Sequence, residues 1–234
     1  MHVWYGGAIK ESLHALALLS LEERERYDGI RNLAARASYC SAHVGLRRVF
    51  ADYLCVDAQS IRFARSPCPR CHDTSHGQPL VAWPKTDLTF SLSHSGDRWL
   101  VAVTGGGPIG ADLERCPDRD LILSIREILT SDEQRALEQL PCESERSRFL
   151  LRAWTRKEAV CKALGVGLVA DIRRLDVSPW KDGPVCLVFG LDGNDAIGWN
   201  VVDVPIGEGE FAAVARPHGH PIRLFLREAM RRAP

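Results

Sequence analysis

The sequence predicts an α+β fold, in which runs of helix are followed by small antiparallel sheets instead of alternating with single parallel strands. In the first half, helical segments lead to a strand pair over Leu88–Val103, where apolar and polar residues alternate around a Ser-Gly-Asp turn. The second half has the same order, because helices that end near Leu164 precede several strand-like stretches. The glycines Gly105–Gly107 lie between the two, so we expect one unit at 1–106 and a second at 107–234.

Composition narrows the class of protein. The 234 residues have a formal net charge of zero and are 45% hydrophobic, which indicates a globular chain and argues against a general nucleic-acid binder. No apolar run reaches the roughly 18 residues of a membrane span, so no membrane association is expected. The N-terminus lacks the basic and apolar regions of a signal peptide, so we expect a cytoplasmic location. In that reducing compartment the 8 cysteines are expected to be mostly buried, small hydrophobic residues and not to form a disulfide framework.

The first half begins with a helix that its own sequence marks. Ser20 and Glu23 have the Ser-x-x-Glu spacing of a capping box, which predicts a helix that starts after Ser20. The helical rhythm continues to Tyr53, with breaks expected at Gly29 and Gly45. Six arginines make this stretch basic, and they form either a solvated helix face or an anion site. They are Arg24, Arg26, Arg31, Arg36, Arg47 and Arg48.

The second half begins with a strand and continues with helices. Apolar and polar residues alternate over 109–115, which predicts a strand. Two short helices are expected around Thr130-Ser131-Asp132-Glu133, and a longer helix over 143–164. The basic, amphipathic stretch 222–232 is expected to be a docking helix or a frayed tail.

An irregular stretch over 61–84 is rich in proline, glycine, cysteine and histidine. It contains Cys68-Pro69-Arg70-Cys71-His72, and together with His76 it offers four side chains of the zinc-ligand type. Only one Cys-x-x-Cys pair is present, however, and four ligands so close together in sequence would be cramped. A loop with free thiols is the favoured interpretation, and a zinc site is the alternative.

Carboxylates on two different elements form the candidate chemistry. Asp112 and Glu114 lie on one face of the predicted strand, and Glu158 lies one turn before Lys162 on the long helix. If strand and helix meet, carboxylates at 4 Å repel each other by roughly 4 kcal/mol per pair and favour a divalent cation. Oxygen ligands select magnesium, or manganese, and magnesium completes its shell with waters and substrate phosphates. The pattern indicates phosphoryl or pyrophosphate chemistry, in which Lys162 neutralises a leaving phosphate.

Four motifs follow one another along the chain. They are His76-Gly77-Gln78-Pro79, Phe90-Ser91-Leu92-Ser93-His94-Ser95, Gly110-Ala111-Asp112-Leu113-Glu114 and Trp154-Thr155-Arg156-Lys157-Glu158-Ala159-Val160-Cys161-Lys162. In this order they resemble the motifs of the Sfp-type 4′-phosphopantetheinyl transferases, which are a Gly-Lys-Pro element, a Ser-His-Ser strand end, Gly-[Ile/Val/Ala]-Asp-[Ile/Leu]-Glu and Trp-x-x-Lys-Glu-[Ala/Ser]-x-x-Lys. The resemblance covers nearly the whole chain, and four motifs in this order are far more specific than any one of them.

The resemblance implies a fold and a reaction. The fold would be two similar halves that form a pseudo-dimer with coenzyme A between them. Residues 1–106 would contact the adenosine and phosphates, and residues 107–234 would contain the metal site and the catalytic helix. Such enzymes transfer 4′-phosphopantetheine from coenzyme A to a serine of an apo carrier protein and release 3′,5′-ADP. The alternative is a non-catalytic module of the same fold that binds coenzyme A or a carrier protein.

The resemblance also assigns residue roles. Asp112, Glu114 and Glu158 would hold magnesium on the coenzyme A pyrophosphate, and Glu158 would also be the general base. Lys162 would stabilise the pyrophosphate or the developing charge. The adenosine and phosphate end would be bound by residues of the first half, in which Gln78 departs from the basic residue usual in the family. These residues are Arg26, Gln78, Pro79, Ser93 and His94.

The implied partner is an acyl or peptidyl carrier protein, typically acidic near the modified serine, and by resemblance the motif form leans toward polyketide or nonribosomal peptide biosynthesis. The two-lobed type of the family is usually monomeric, so we expect a monomer. Arginines before and on the long helix are candidates for carrier docking, with solvated surface arginines as the alternative. They are Arg126, Arg135, Arg146, Arg148, Arg152 and Arg156.

Overall fold

The computed structural model describes residues 1–74, 77–115, 119–166, 171–189 and 197–229. In these segments the chain forms helices α1–α6 and strands β1–β10. The helices are α1 (Leu13–Ala17), α2 (Leu21–Gly29), α3 (Leu33–Leu54), α4 (Arg119–Glu127), α5 (Ser131–Glu138) and α6 (Glu143–Leu164). The strands are β1 (His2–Gly7), β2 (Arg62–Arg65), β3 (Pro79–Trp83), β4 (Leu88–Ser95), β5 (Arg98–Gly105), β6 (Gly110–Arg115), β7 (Val185–Phe189), β8 (Ile197–Asp203), β9 (Glu210–Pro217) and β10 (Phe225–Glu228).

Two four-stranded sheets, each with one long helix against it, form the body of the molecule. The first sheet has the order β10-β1-β5-β4 and the second has the order β6-β9-β8-β7. Within them β1, β5 and β4 pair antiparallel in the same pattern as β6, β9 and β8. Helices α3 and α6, each of 22 residues, pack on the first and second sheet respectively. The predicted α+β fold is confirmed, and the two halves repeat each other in arrangement.

Both halves use a capping-box glutamate to join a short helix to the long one. Ser20 and Glu23 cap α2 reciprocally, as the sequence predicts, and Thr130 and Glu133 cap α5 in the same way. Glu23 also accepts a hydrogen bond from Arg47 on α3 at 2.7 Å. In the second half Glu133 forms an ion pair of 2.9 Å with Lys157 on α6, at the same separation along the chain. Because these groups are largely or fully removed from water, each pair fixes the position of a long helix against its neighbour.

Three predictions about the elements are wrong. Gly45 does not break α3, because it lies against the Trp99 ring, and a Cβ atom there would be 2.5 Å from Trp99 Cζ2. The stretch 61–84 contains the antiparallel pair β2–β3 and is not irregular throughout. The C-terminal stretch forms neither a helix nor a frayed tail over 225–228, where β10 pairs parallel to β1. A strand from the C-terminal end of the chain thereby extends the sheet of the first half.

Within the described segments, no helix combines the length and the apolar character that a membrane span requires.

Candidate active site

A ladder of three serine hydroxyls joins the two sheets. Alternate residues of β4 face alternate residues of β6, and the serine at each step accepts a hydrogen bond from a backbone N–H of β6. The pairs are Ser91 with Ala111 at 3.0 Å, Ser93 with Leu113 at 3.3 Å and Ser95 with Arg115 at 3.1 Å. We call this contact between β4 and β6 the seam. It brings the end of the first half's hairpin directly against the strand that carries Asp112 and Glu114.

Lys162, Asp112 and Ser93 form a closed polar triangle in the seam. Lys162 Nζ donates to Asp112 Oδ1 at 2.6 Å and to Ser93 Oγ at 3.0 Å, and Ser93 Oγ donates to Asp112 Oδ1 at 2.9 Å. Asp112 is only 3% exposed. Burial alone would lower the pKa of Lys162, but the carboxylates of Asp112 and Glu158 outweigh it and raise that pKa. Lys162 is therefore a fixed positive charge that belongs to both halves of the molecule.

Glu158 lies one helical turn before Lys162 and is 9% exposed. Burial and then the negative charge of Asp112 raise the pKa of Glu158 from 4.5 to about 7, although Lys162 opposes this. Among the described residues, no group donates a hydrogen bond to Glu158 Oε1 or to Asp112 Oδ2, and both oxygens are buried. Two unpartnered carboxylate oxygens in one site are unusual, since buried acceptors normally have a donor.

Glu114 is held by one donor from each half. Ser95 Oγ donates to its Oε2 at 2.8 Å, and Trp154 Nε1 on α6 donates to its Oε1 at 3.1 Å. Burial and then the charge of Asp112 raise the pKa of Glu114, and these two hydrogen bonds offset only part of the effect. Trp154 therefore takes part in the site directly, because its indole N–H orients the Glu114 carboxylate.

Basic side chains from both halves lie near one another at one end of the seam. His94 Nδ1 lies 3.1 Å from Ser38 Oγ on α3, and part of the imidazole surface remains accessible. Enclosure by the surrounding protein, and then the positive charges of His43, Lys162 and Arg26, lower the pKa of His94 to about 4. Arg26 is exposed on α2. The structure therefore brings Arg26, His94 and Lys162 into one electrostatic neighbourhood, although they come from three separate elements.

Gln78 connects the β2–β3 segment to the seam. Its Nε2 donates to Ile109 O at 3.3 Å, and its Cβ lies close to Gly165, which ends α6 with a positive φ of 73°. Pro79 begins β3 immediately afterwards. The amide donor of Gln78 is thus used to hold the start of β6, and His76, which precedes this pair in the sequence, lies outside the described residues.

Comparison with known proteins gives the family. The chain is 28% identical over 231 residues to the L-aminoadipate-semialdehyde dehydrogenase-phosphopantetheinyl transferase of Mus musculus, which covers 89% of this chain and 71% of the relative. It is also 28% identical over 202 residues to the 4′-phosphopantetheinyl transferase HetI of Nostoc, with 85% and 78% covered. A model of the 4′-phosphopantetheinyl transferase superfamily matches residues 108–214. The chain belongs to this superfamily. The identification made from its sequence motifs is thereby confirmed.

The carboxylates of the site differ in the oxygens that they can offer to a divalent cation. Asp112 and Glu158 each offer one buried oxygen without a partner, which fits a cation held by two carboxylates and completed by water and phosphate. Each oxygen of Glu114 already accepts one hydrogen bond, so only the remaining lone pairs of this carboxylate are free for a cation. No group of three or more histidine, cysteine, aspartate or glutamate side chains converges on a metal position within the described segments. Cys68, Cys71 and His72, the described members of the alternative zinc set, therefore do not converge on one metal position, and His76 lies outside those segments.

Two residues of the helix motif have a structural role that the sequence did not reveal. Arg156 is 0% exposed, and its guanidinium binds both oxygens of Asp203 at 2.7 Å and the carbonyl oxygens of Val177 and Ser178. It therefore cannot belong to a surface docking patch, which corrects its assignment as a docking candidate. Lys157 is equally buried in its pair with Glu133. A run of charges on a helix does not show which of them will find a distant buried partner.

The seam allows a matched test of how Glu114 is positioned. We expect Ser95→Ala to raise the pKa of Glu114 further, because the Ser95 hydroxyl favours the ionised carboxylate, and to cost about 1 kcal/mol of unfolding free energy. Ser91→Ala removes the rung at the other end of the ladder, whose hydrogen bonds are to the backbone of Ala111, and should cost a similar amount without moving that pKa. Carbon-13 NMR titration of the side-chain carboxyl and urea unfolding measure the two effects. Equal pKa changes in both variants would contradict this role of Ser95.

Proposed function

We propose that the chain transfers the 4′-phosphopantetheine group of coenzyme A to a serine hydroxyl of an apo carrier protein and releases 3′,5′-ADP. The observation that carries this proposal is the pair of unpartnered, buried oxygens on Asp112 and Glu158, next to the cation of Lys162, in a member of this superfamily. Such a set is suited to a substrate with a pyrophosphate and to a cation that neutralises it. The relatives are named for the same transfer chemistry.

Glu158 is the proposed general base, which removes the proton from the carrier serine. The serine oxygen forms a bond to the phosphorus that carries pantetheine, while the bond from that phosphorus to the bridging oxygen of the pyrophosphate breaks. The serine proton goes to Glu158, directly or through a water, and the electron pair of the broken bond leaves with 3′,5′-ADP. A base is most effective when its pKa lies near the working pH, which supports Glu158, whose pKa is about 7.

Asp112 and Glu158 would hold magnesium, or manganese in its place, and Glu114 would be the third ligand of the proposed set. When bound, the cation supplies charge neutralisation to the pyrophosphate. Lys162 adds a second positive charge, which the triangle with Asp112 and Ser93 fixes in position before any substrate arrives. A charge that needs no reorientation during the reaction stabilises the departing phosphate most effectively.

The adenosine and phosphate end of coenzyme A would lie against the first half. Arg26 supplies an exposed positive charge, and His94, which its low pKa keeps neutral near pH 7, supplies a hydrogen bond. Ser93, Gln78 and Pro79 would border the same pocket. In this proposal residues 1–106 mainly bind coenzyme A, and residues 107–234 contain the metal site and the catalytic helix α6.

The carrier would approach as an acidic protein, and a polyketide or nonribosomal peptide carrier is the proposed class. Of the docking candidates, Arg152 is engaged with Asp182 and Asp203, whereas Arg135 lies exposed on α5 beside Asp132. Exposed arginines such as Arg135 and Arg148 are therefore better candidates than Arg152 and Arg156. We propose that the enzyme acts as a monomer in the cytoplasm.

The direct test mixes the protein with coenzyme A, Mg²⁺ and an apo carrier protein. We expect the intact mass of the carrier to increase by one phosphopantetheine group, with an equal amount of 3′,5′-ADP in the supernatant. A chelator should stop both, and Mg²⁺ or Mn²⁺ should restore them, while a carrier whose acceptor serine is replaced by alanine stays unmodified. If coenzyme A binds but no carrier of a polyketide, nonribosomal peptide and fatty acid panel is modified, a non-catalytic binding module replaces this proposal.

A further inference from the structure

Residues 66–74, which follow β2, turn tightly around two cysteines. At the base of this turn Ser66 N donates a hydrogen bond to Gln78 O at 2.9 Å. Within it, Cys68 N donates to Asp73 O and His72 N donates to Cys68 O, both at 2.9 Å. His72 has a φ of 61°, a left-handed conformation that is uncommon for a residue with a side chain. This turn folds the chain back so that the Cys68 and Cys71 side chains lie together.

The two thiols of this turn differ in access. Cys68 is 0% exposed and packs against the apolar core of the second half, whereas Cys71 is exposed. The Cys71 thiol lies within hydrogen-bonding distance of the Cys68 sulfur. Backbone N–H groups of Cys71 and then Arg70 also point at that sulfur and, against the effect of burial, lower the pKa of Cys68. A thiolate is the reactive form of cysteine. The turn therefore stabilises a nucleophilic sulfur on the buried Cys68, next to the exposed Cys71.

We propose that Cys68 and Cys71 form a reversible dithiol–disulfide site that reacts with low-molecular-weight disulfides. The exposed Cys71 thiolate attacks one sulfur of the small disulfide, which gives a mixed disulfide and releases one small thiol. The Cys68 thiolate then attacks the Cys71 sulfur, forms the Cys68–Cys71 bond and releases the second small thiol. Two electrons and two protons leave the protein, and the small disulfide is reduced to two thiols.

Other described cysteines do not offer this arrangement. Cys40 and Cys161 are buried, and burial raises the pKa of both thiols. The exposed thiols of Cys55, Cys142 and Cys186 have hydrogen bonds to oxygen atoms, and each of them would stop at a mixed disulfide. The turn is also joined, through Gln78 at its base, to Ile109 and the start of β6. The oxidation state of this site therefore bears on a segment that connects both halves, and its chemistry does not depend on the proposed transfer reaction.

Equilibration of the full-length protein with mixtures of reduced and oxidised glutathione tests this site. After acid quenching and alkylation, we expect peptide mass spectrometry to show the peptide with Cys68 and Cys71 lighter by two hydrogens and resistant to alkylation in oxidising mixtures. The change should reverse fully in reducing mixtures. An accumulating glutathione adduct on Cys71, or two thiols that stay alkylatable throughout, would overturn the proposal.

Three variants make the result specific. In Cys68→Ser the mixed disulfide on Cys71 should persist, because the thiol that resolves it is absent. Cys71→Ser changes an exposed side chain, so it should fold normally, and Cys68 should then stay unreacted. The matched control Cys142→Ser, at another exposed cysteine, should form the Cys68–Cys71 disulfide like the wild type. Glutathione addition to Cys68 in Cys71→Ser would contradict the order of attack and overturn the site as described.

Discussion

We expect Glu158→Gln to reduce phosphopantetheine transfer by at least 100-fold and, in the same protein, to increase the free energy of unfolding above pH 7. The loss of activity follows from removal of the general base, which typically contributes about 10²–10⁴-fold. The gain in stability follows because the wild-type carboxylate is buried beside Asp112, so its charge opposes folding. A glutamine has nearly the same shape and carries no charge.

The pH dependence of this stability gain has a defined sign. The carboxyl of Glu158 ionises near 4.5 in the unfolded chain and near 7 in the folded one. Between these values the unfolded state loses a proton that the folded state keeps, so rising pH favours unfolding across this window and the group adds nothing further above it. The difference corresponds to about 3 kcal/mol as an upper value. Glu158→Gln should therefore match the wild type near pH 4.5 and exceed it at pH 8, with a rise in Tm of roughly 5–10 °C.

Thermal unfolding in a chelator, at both pH values, measures the stability effect without interference from bound cations. Glu145→Gln is the matched control, because Glu145 lies exposed in the first turn of the same helix. It should keep full transfer activity and gain no stability at pH 8. A Glu158→Gln variant that is inactive but less stable than the wild type at pH 8 would mean that the glutamate stabilises the fold, and the assignment of a strained functional carboxylate would be wrong.

Elements that are determined mainly by residues close together in the sequence can be predicted from local sequence patterns. The bounds of α6, the strand over 110–115 and the capping box at Ser20 and Glu23 were all found in this way. The resemblance to the family's motifs also implies that Asp112 and Lys162 belong to one site, and Lys162 Nζ lies 2.6 Å from Asp112 Oδ1 in the structure. These features are set by helix periodicity, strand alternation and short-range hydrogen bonds.

Features that depend on distant partners could not be predicted from sequence patterns. The serine ladder is one such feature, because Ser91 and Ser95 are engaged with the backbone of β6 and Ser93 also with Asp112. One signal was available, since serines at 91, 93 and 95 have the same two-residue period as the alternation in β6. The path of α3 through Gly45 depends on Trp99, which lies in a strand far away in sequence. Similarly, β10 is too short and exposed to show a pattern of its own.

We expect Gly110→Ala to destabilise the protein by more than the 1–3 kcal/mol that is typical of overpacked cores, and to disrupt the site with it. Gly110 begins β6 where this strand crosses α6, and a Cβ atom there would lie 1.8 Å from Ala159 O and 2.5 Å from Ala163 N. Both are backbone atoms, so no side-chain rotation can relieve the contact. The helix must move away from the strand.

That movement would displace the catalytic groups directly, because Ala159 follows Glu158 and Ala163 follows Lys162 in α6. Chemical denaturation should show the loss of stability, and the rise in Lys162 pKa, measured by NMR, should diminish as Asp112 recedes. Gly105→Ala is the matched control, since no heavy atom lies within 4 Å of its would-be Cβ and its backbone is not left-handed. It should unfold within about 1 kcal/mol of the wild type and keep the Lys162 pKa. If Gly110→Ala behaves like this control, the close approach of β6 to α6 does not hold the carboxylates and the lysine together, and another contact must do so.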